Sequence, residues 1–172
     1  QFGVQCIVAA MDVMPRNGGP ACVYSHAGTR DTGQTAVDVA RRYAEAGAGE
    51  ILLNAIHCDG RRDGYDCELV DQVATAVAVP LIAMGGAGCP DHVRTLLETT
   101  CVSAAAIGNM LHYCEHSITV IKSALHCEGL DLRLDSQADY RHMQVLIDGR
   151  LDRRPESELD AEIFEHISRE IL

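Results

Sequence analysis

The chain is poor in aromatic side chains, with no Trp, two Phe and five Tyr in 172 residues. A core without large rings has to be built from Ala, Val, Ile and Leu, which suits the small-residue packing of parallel α/β folds. Long apolar runs are also lacking. None approaches the roughly 20 residues of a membrane-spanning helix, so no membrane is expected as a partner. Basic residues are outnumbered, 14 Lys and Arg against 25 Asp and Glu, for a formal charge of −11. A generic phosphate-backbone binder has the opposite balance, so no nucleic acid is expected either. Eight cysteines are present, Cys6, Cys22, Cys58, Cys67, Cys89, Cys101, Cys114 and Cys127, with no CxxC among them. Scattered through strand and helix patterns, they read as free thiols of a reducing, cytoplasmic setting. The start, Gln1-Phe2-Gly3-Val4-Gln5, has neither Met nor a signal-peptide pattern. It reads as the cut end of a fragment or a processed chain.

What is present is regular alternation. Cys6-Ile7-Val8-Ala9-Ala10-Met11 is an apolar run ending at Asp12, as in a strand buried on both faces. Pro15 to Pro20, around Asn17-Gly18-Gly19, is turn chemistry. Ala21–Ser25 reads as a short strand, one arm of a hairpin, and Ala27–Gly33 as a loop. Thr35 or Asp38 opens a helix to about Ala46. Strand Glu50–Ala55, helix Cys67–Val77, strand Leu81–Met84, a helix from Pro90 to about Thr99, strand Ser103–Ile107 and helix Ser117–Cys127 follow. Such alternation predicts a parallel sheet covered by helices. Beyond Leu134 the character changes. Residues 135–172 read as an extension ending in an amphipathic helix, Glu156–Leu172, with Leu159, Ile163, Ile167 and Ile171 at four-residue intervals.

One segment stands out. Gly47-Ala48-Gly49-Glu50-Ile51-Leu52-Leu53-Asn54-Ala55-Ile56, running into Asp59-Gly60 and Gly64-Tyr65-Asp66, is a Gly-rich turn, a buried strand with polar residues at its carboxyl end, and a Gly-containing loop. The carboxyl ends of barrel strands are where chemistry is placed. A second unit, Val79-Pro80-Leu81-Ile82-Ala83-Met84-Gly85-Gly86-Ala87-Gly88, follows. Glycines after a strand let backbone N–H groups approach an anion, although turns use glycine as well. Asp12 at a strand end is suited to acid–base work if partly buried, or else to capping a turn. Glu50 is a functional carboxylate or a solvated one at a strand start. His57-Cys58-Asp59 and His112-x-Cys114-x-His116 hold metal-ligand residue types, but their loop positions do not favour convergence on one ion. No metal or cofactor is expected.

Asp12, the Gly28…Thr32-Gly33 loop, Gly47 to Asn54, Asp59-Gly60…Gly64-Tyr65-Asp66 and Gly85-Gly86-Ala87-Gly88 occur in the order of one family. From about Gln1 to Leu134 the chain resembles the carboxyl-terminal half of the cyclase subunit (HisF family) of imidazole glycerol phosphate synthase, a (β/α)8 TIM barrel. The resemblance implies an α/β half-barrel over residues 1–134, equivalent to strands five to eight. It implies a partner glutaminase that supplies ammonia. The phosphorylated substrate would be a ribulosyl aminoimidazole carboxamide ribotide, converted to imidazole glycerol phosphate in histidine biosynthesis. It makes Asp12 one of two catalytic aspartates and Glu50 the guard of the ammonia entrance. Ala27, Gly28, Asn54, Asp59, Gly60, Gly85, Gly86, Gly108 and Asn109 become contacts to substrate and phosphate. A half-barrel leaves sheet edges open, which implies pairing with a missing amino-terminal half or with another copy. Several positions depart from the family pattern. Asn54 replaces a hydroxyl residue, Asn109 and Ala27 stand where Ser is usual, Met84 stands where Ser or a small residue is, and His57 stands where an acid is common. His26-Ala27-Gly28-Thr29 and Leu53-Asn54-Ala55-Ile56 are closer to a paralogous group. That group partners an amidotransferase in surface-polysaccharide sugar amidination. A non-catalytic phosphate-binding or scaffold half is the third reading.

Overall fold

The computed structural model describes Gly3, residues 6–112 and residues 117–132. The expected helix Glu156–Leu172, the remainder of the extension and Cys114 lie outside the described residues. Six strands, β1 (Val8–Arg16), β2 (Gly19–Ser25), β3 (Arg30–Thr35), β4 (Glu50–Ala55), β5 (Leu81–Met84) and β6 (Ala104–Ala105), form one sheet in the order β3-β2-β1-β4-β5-β6. Helices α1 (Ala36–Glu45), α2 (Cys67–Ala74), α3 (Pro90–Thr99) and α4 (Ser117–Cys127) alternate with the strands. β1, β4, β5 and β6 run parallel, and β2 and β3 add an antiparallel hairpin beside β1. This is the α/β barrel-type arrangement the alternation predicts, with four parallel βα units.

The helices start where local chemistry satisfies their free N–H groups. Thr35 caps α1, its Oγ1 accepting from the Asp38 N–H at 3.2 Å while the hydroxyl donates to Asp38 Oδ2 at 2.7 Å. Both residues expected to open this helix therefore take part in its cap, a contribution of about 1 kcal/mol. Asp66 caps α2, its Oδ1 accepting from Leu69 N at 3.0 Å. Pro90 opens α3, where its missing N–H leaves no bond unmade.

Period-two alternation divides the parallel strands into two faces. Val13, Ile51, Leu53 and Ala83 are fully buried. They pack with Val39, Ala40, Leu69, Val70, Val73, Val93 and Leu96 from the helices into one core. On the opposite face the register sets side chains in rows. Val8 lies beside Glu50; Ala10, Leu52, Ile82 and Ala104 form the next row; Asp12, Asn54 and Met84 form the last. These residues are partly or fully exposed, although the middle row is wholly apolar. β2 pairs with β1 only from Asp12 to Arg16. Among the described residues nothing pairs with that side of Val8–Met11 or with the outer edge of β6. Ile7 and Val8 are 52% and 50% exposed there.

The structure corrects several boundaries. The expected loop Ala27–Gly33 is a tight turn followed by β3, a strand whose sequence, RDTGQT, carries no apolar alternation. β1 continues through Pro15 to Arg16, and the turn is confined to Asn17 and Gly18. α2 ends at Ala74 rather than Val77, its cap closed by the Thr75 N–H on Asp71 O. The last strand is two residues rather than Ser103–Ile107.

A sheet with an apolar row in solvent and two open edges is not expected to persist alone. Light scattering coupled to size exclusion should find the isolated chain self-associated, or poorly stable. A stable, well-folded monomer would contradict this.

Candidate functional site

Polar groups gather at the carboxyl ends of the parallel strands. β1 brings Asp12 and β4 brings Asn54 into register, and Asn54 Nδ2 donates to Asp12 Oδ1 at 2.9 Å. That bond fixes the amide, because the reversed orientation would set oxygen against carboxylate. It leaves Asn54 Oδ1 buried and without a hydrogen-bond partner, an unusual state for a buried acceptor. The bond holds one oxygen of Asp12. Glu50 begins the same strand on the same face as Asn54, four residues earlier and hence about 13 Å away along the strand. It sits at the opposite end of the sheet from Asp12.

The loops after β5 and β6 form a second group. Gly85 and Gly86 have φ of +100° and +106°, a backbone region that L side chains rarely adopt. A Cβ on Gly85 would lie 2.6 Å from Ala55 O, and one on Gly86 only 1.9 Å from Gly64 O. Gly85, Gly86 and Gly108, with Met84, Asp59, Gly60 and Asn109, line a pocket of about 10 Å³. Asn109 Nδ2 donates to Asp59 Oδ1 across it at 3.0 Å. Asn109 opens a 3-10 turn, Asn109–His112, where a loop was expected. Among the described residues no Lys or Arg side chain lines the pocket, whose wall is glycine and alanine with the side chains of Met84, Asp59 and Asn109.

Ala27 and Gly28 lie elsewhere. They form the tip of the β2–β3 hairpin, where His26, Ala27 and Gly28 all have positive φ, at 54°, 53° and 78°. Thr29 fastens the tip, its Oγ1 donating to His26 O at 2.7 Å. A Cβ on Gly28 would be 2.9 Å from Ile56 Cδ1. The tip thus rests on the first residue after β4 but does not line the glycine pocket. Beside the tip, Asp31 accepts from Gly33 N at 2.7 Å and from Arg16 Nε at 2.8 Å. These bonds hold its carboxyl below the usual range, the Gly33 contact foremost.

Sequence reasoning gave no role to three residues that fix the β4–α2 loop. His57 Nε2 lies 3.0 Å from Asp66 Oδ2, the same carboxylate that caps α2. His57 Nδ1 is buried without a partner. The Tyr65 hydroxyl donates to Ala106 O at 3.0 Å, and burial pushes its pKa far up. Gly64 N adds a bond to Gly86 O at 2.9 Å. The spacing of Asp66 to Leu69 is a readable capping signal; the Tyr65 contact spans 41 residues and has none. Burial, first among several causes, also raises the Cys58 thiol, and the seven described cysteines are all free. Among the described residues no three His, Cys, Asp or Glu side chains are placed to hold a metal ion. No described helix is long and apolar enough to cross a membrane.

Comparison with known proteins matches residues 1–117 to the family described as "Histidine biosynthesis protein". The chain is similar to the imidazole glycerol phosphate synthase subunit HisF of Synechococcus sp. (strain CC9311), 47% identical over 137 residues, which is 77% of this chain and 52% of that protein. It is 40% identical over 136 residues to the subunit of the same name in Dehalococcoides mccartyi (strain ATCC BAA-2100 / JCM 16839 / KCTC 5957 / BAV1), covering 79% of this chain and 53% of that one. The same name belongs to a relative in Bacillus cereus (strain ATCC 10987 / NRS 248), 40% identical over 133 residues, or 77% of this chain and 53% of the relative. The chain spans about half the length of the curated relatives it matches.

The close approach of Gly86 to Gly64 can be tested by substitution. Gly86→Ala should cost at least about 2 kcal/mol, from strain plus displacement of the Gly64 carbonyl. Gly18→Ala, with φ +74° but open space around it, should cost only about 1 kcal/mol. Urea denaturation at matched concentration measures both. Equal costs would contradict the packing described.

Proposed function

The chain belongs to the histidine biosynthesis protein family, and from that premise we propose that it supplies strands five to eight of a cyclase subunit of imidazole glycerol phosphate synthase. In this reading residues 1–134 are one half of a (β/α)8 barrel. Another four βα units cover the apolar row Ala10, Leu52, Ile82 and Ala104 and the open edges. They come from an amino-terminal half or, failing that, from a second copy. The reaction joins ammonia from a glutaminase subunit with a phosphorylated ribulosyl aminoimidazole carboxamide ribotide and gives imidazole glycerol phosphate, with release of aminoimidazole carboxamide ribotide.

One observation carries the proposal. Asp12 and Asn54 stand at the carboxyl end of a single sheet face, and Glu50 stands on that same face at the other end. Such a face fits an enzyme whose small reactant enters at the amino-terminal end and whose substrate sits at the carboxyl end. The chemistry assigned to each residue follows from its surroundings. Asp12 is the general acid or base: Asn54 holds its Oδ1 by a 2.9 Å bond, so the second oxygen meets the substrate with its direction set. Gly85, Gly86 and Gly108 offer backbone N–H groups to the phosphate. The start of α3 a few residues on adds a favourable dipole. Asn109 contributes an amide donor in place of a hydroxyl. Asp59 and Gly60 hold the near side of the same pocket, while Ala27 and Gly28 close over the strand end through Ile56. Glu50 meets ammonia. Cytoplasmic placement accords with free thiols and a biosynthetic role.

The test is reconstitution. Mixed with the amino-terminal half of the Synechococcus relative, the chain should support ammonia-dependent turnover of the ribotide. Asp12→Asn should lower that rate by about 10²–10⁴-fold, the usual range for loss of a positioned acid or base. Turnover retained in Asp12→Asn would remove that residue's role. Absence of turnover in the unsubstituted mixture would sink the cyclase reading.

A further inference from the structure

The glycine pocket is small, and one exposed hydrogen bond joins two of its lining residues. Its volume is about 10 Å³, room for about one water molecule, and a phosphoryl group with its oxygens needs several times that. The donor is the Asn109 side chain. Its Nδ2 lies 3.0 Å from Asp59 Oδ1 and 3.5 Å from where a Cβ on Gly60 would stand. Asp59 and Asn109 are both exposed. The bond joins residues 50 positions apart. It spans from the loop after β4 to the 3-10 turn after β6, with Gly85 and Gly86 between them in the pocket wall.

Two features make this contact a device rather than packing. A fully exposed hydrogen bond competes with water for both partners and contributes little net stability even when one of them is charged, so it opens readily. It also places a carboxylate at the entrance of a pocket otherwise suited to an anion, a charge that would repel the ligand unless it is occupied or moved. The neighbouring bonds are different in kind. Tyr65 to Ala106 O and Gly64 N to Gly86 O are made from buried or backbone groups. They hold the body of the loop in place, as does the Asp59 N–H on Ala55 O at 3.1 Å, while the Asp59 carboxylate is held by the Asn109 amide.

We propose that the Asp59–Asn109 hydrogen bond is a latch on the anion pocket, and that a phosphate monoester enters by drawing the Asn109 amide away from Asp59. This rests on the phosphate-binding reading of Gly85, Gly86 and Gly108. The chemical consequence is selectivity. A ligand must offer an acceptor strong enough to replace a carboxylate at Asn109, which a phosphate dianion does and a neutral hydroxyl does not. The empty pocket is kept shut against weaker ligands.

The experiment is a titration of the full chain, mixed with the amino-terminal half used for reconstitution, with inorganic phosphate, followed by this chain's backbone amide shifts in nitrogen-proton NMR. It is run on the unsubstituted protein, Asp59→Ala, Asn109→Ala and the double variant. Both side chains are exposed, so the fold is expected to survive. The latch predicts that Asp59→Ala tightens phosphate binding by about 2- to 10-fold, the worth of one modest hydrogen bond. It also predicts that the gain largely disappears in the Asn109→Ala background. An equal gain in both backgrounds means simple charge repulsion and overturns the latch. Weaker binding in Asp59→Ala means that Asn109 bridges Asp59 and the anion together, and overturns it as well. If phosphate moves none of the Gly85, Gly86 and Gly108 amides in any variant, the pocket reading itself fails and the latch falls with it. That outcome is distinct from binding without coupling.

Discussion

Everything in this fold depends on the parallel register of β1, β4 and β5. Pairing Asp12 with Asn54 and Asn54 with Met84 fixes which side chains share a face. It also fixes the order in which they meet along it. Shifting β4 by one residue would send Ile51 and Leu53 to solvent and Asn54 into the helix-covered core. The core residues are fully buried, so the register is held by the hydrophobic effect over the whole sheet rather than by the polar groups it aligns. The polar pair at the strand end inherits its geometry from that packing. This is why a part-buried hydrogen bond such as Asn54 to Asp12 can be short without any contact of its own to pin it.

The loops are fixed by a different means. Beyond the strand ends, three close backbone approaches decide the shape: Gly85 on Ala55, Gly86 on Gly64 and Gly88 on Arg62, where a Cβ would fall 2.3 Å from the carbonyl oxygen. No side chain fits at these points. The glycines therefore let the β4–α2 and β5–α3 loops touch backbone to backbone. Tyr65 then reaches from the first loop to the strand-end carbonyl of Ala106, so the loops after β4, β5 and β6 are tied to one another. Rigid support beneath and a single weak contact at the rim is the division of labour from which the behaviour of the pocket follows.

How much of this could be read beforehand depends on the range of the interaction concerned. The alternation in Glu50–Ala55 predicts that Glu50 and Asn54 share a face. Thr35 and Asp66 announce their helices through local capping chemistry, and these features stand in the structure. β3 escaped reading because RDTGQT holds no apolar residue; its strand form comes from pairing with β2, which is tertiary. The last strand is confined to Ala104–Ala105, which pair with Ile82 and Ala83; among the described residues β6 has no partner on its other side. Gly28 on Ile56, Tyr65 on Ala106 and Asn109 on Asp59 join distant parts of the chain, and no spacing rule finds them. The family resemblance supplied the site residues as a set, and the family match supports its source. Their grouping into an Asp12–Asn54 pair, a glycine pocket and a separate hairpin tip needed coordinates.

The central claim is that this sheet presents an unfinished face and two open edges to a further set of βα units. Hydrogen exchange measured by mass spectrometry reads it most directly, on the chain alone and then mixed with the amino-terminal half of the Synechococcus relative. The account predicts that amides of Val8–Met11 and of the β6 segment exchange more slowly by at least about tenfold in the mixture, while the buried centre of β4 changes little. Unchanged exchange at both edges, in a mixture where the two halves are shown to be folded, would contradict it.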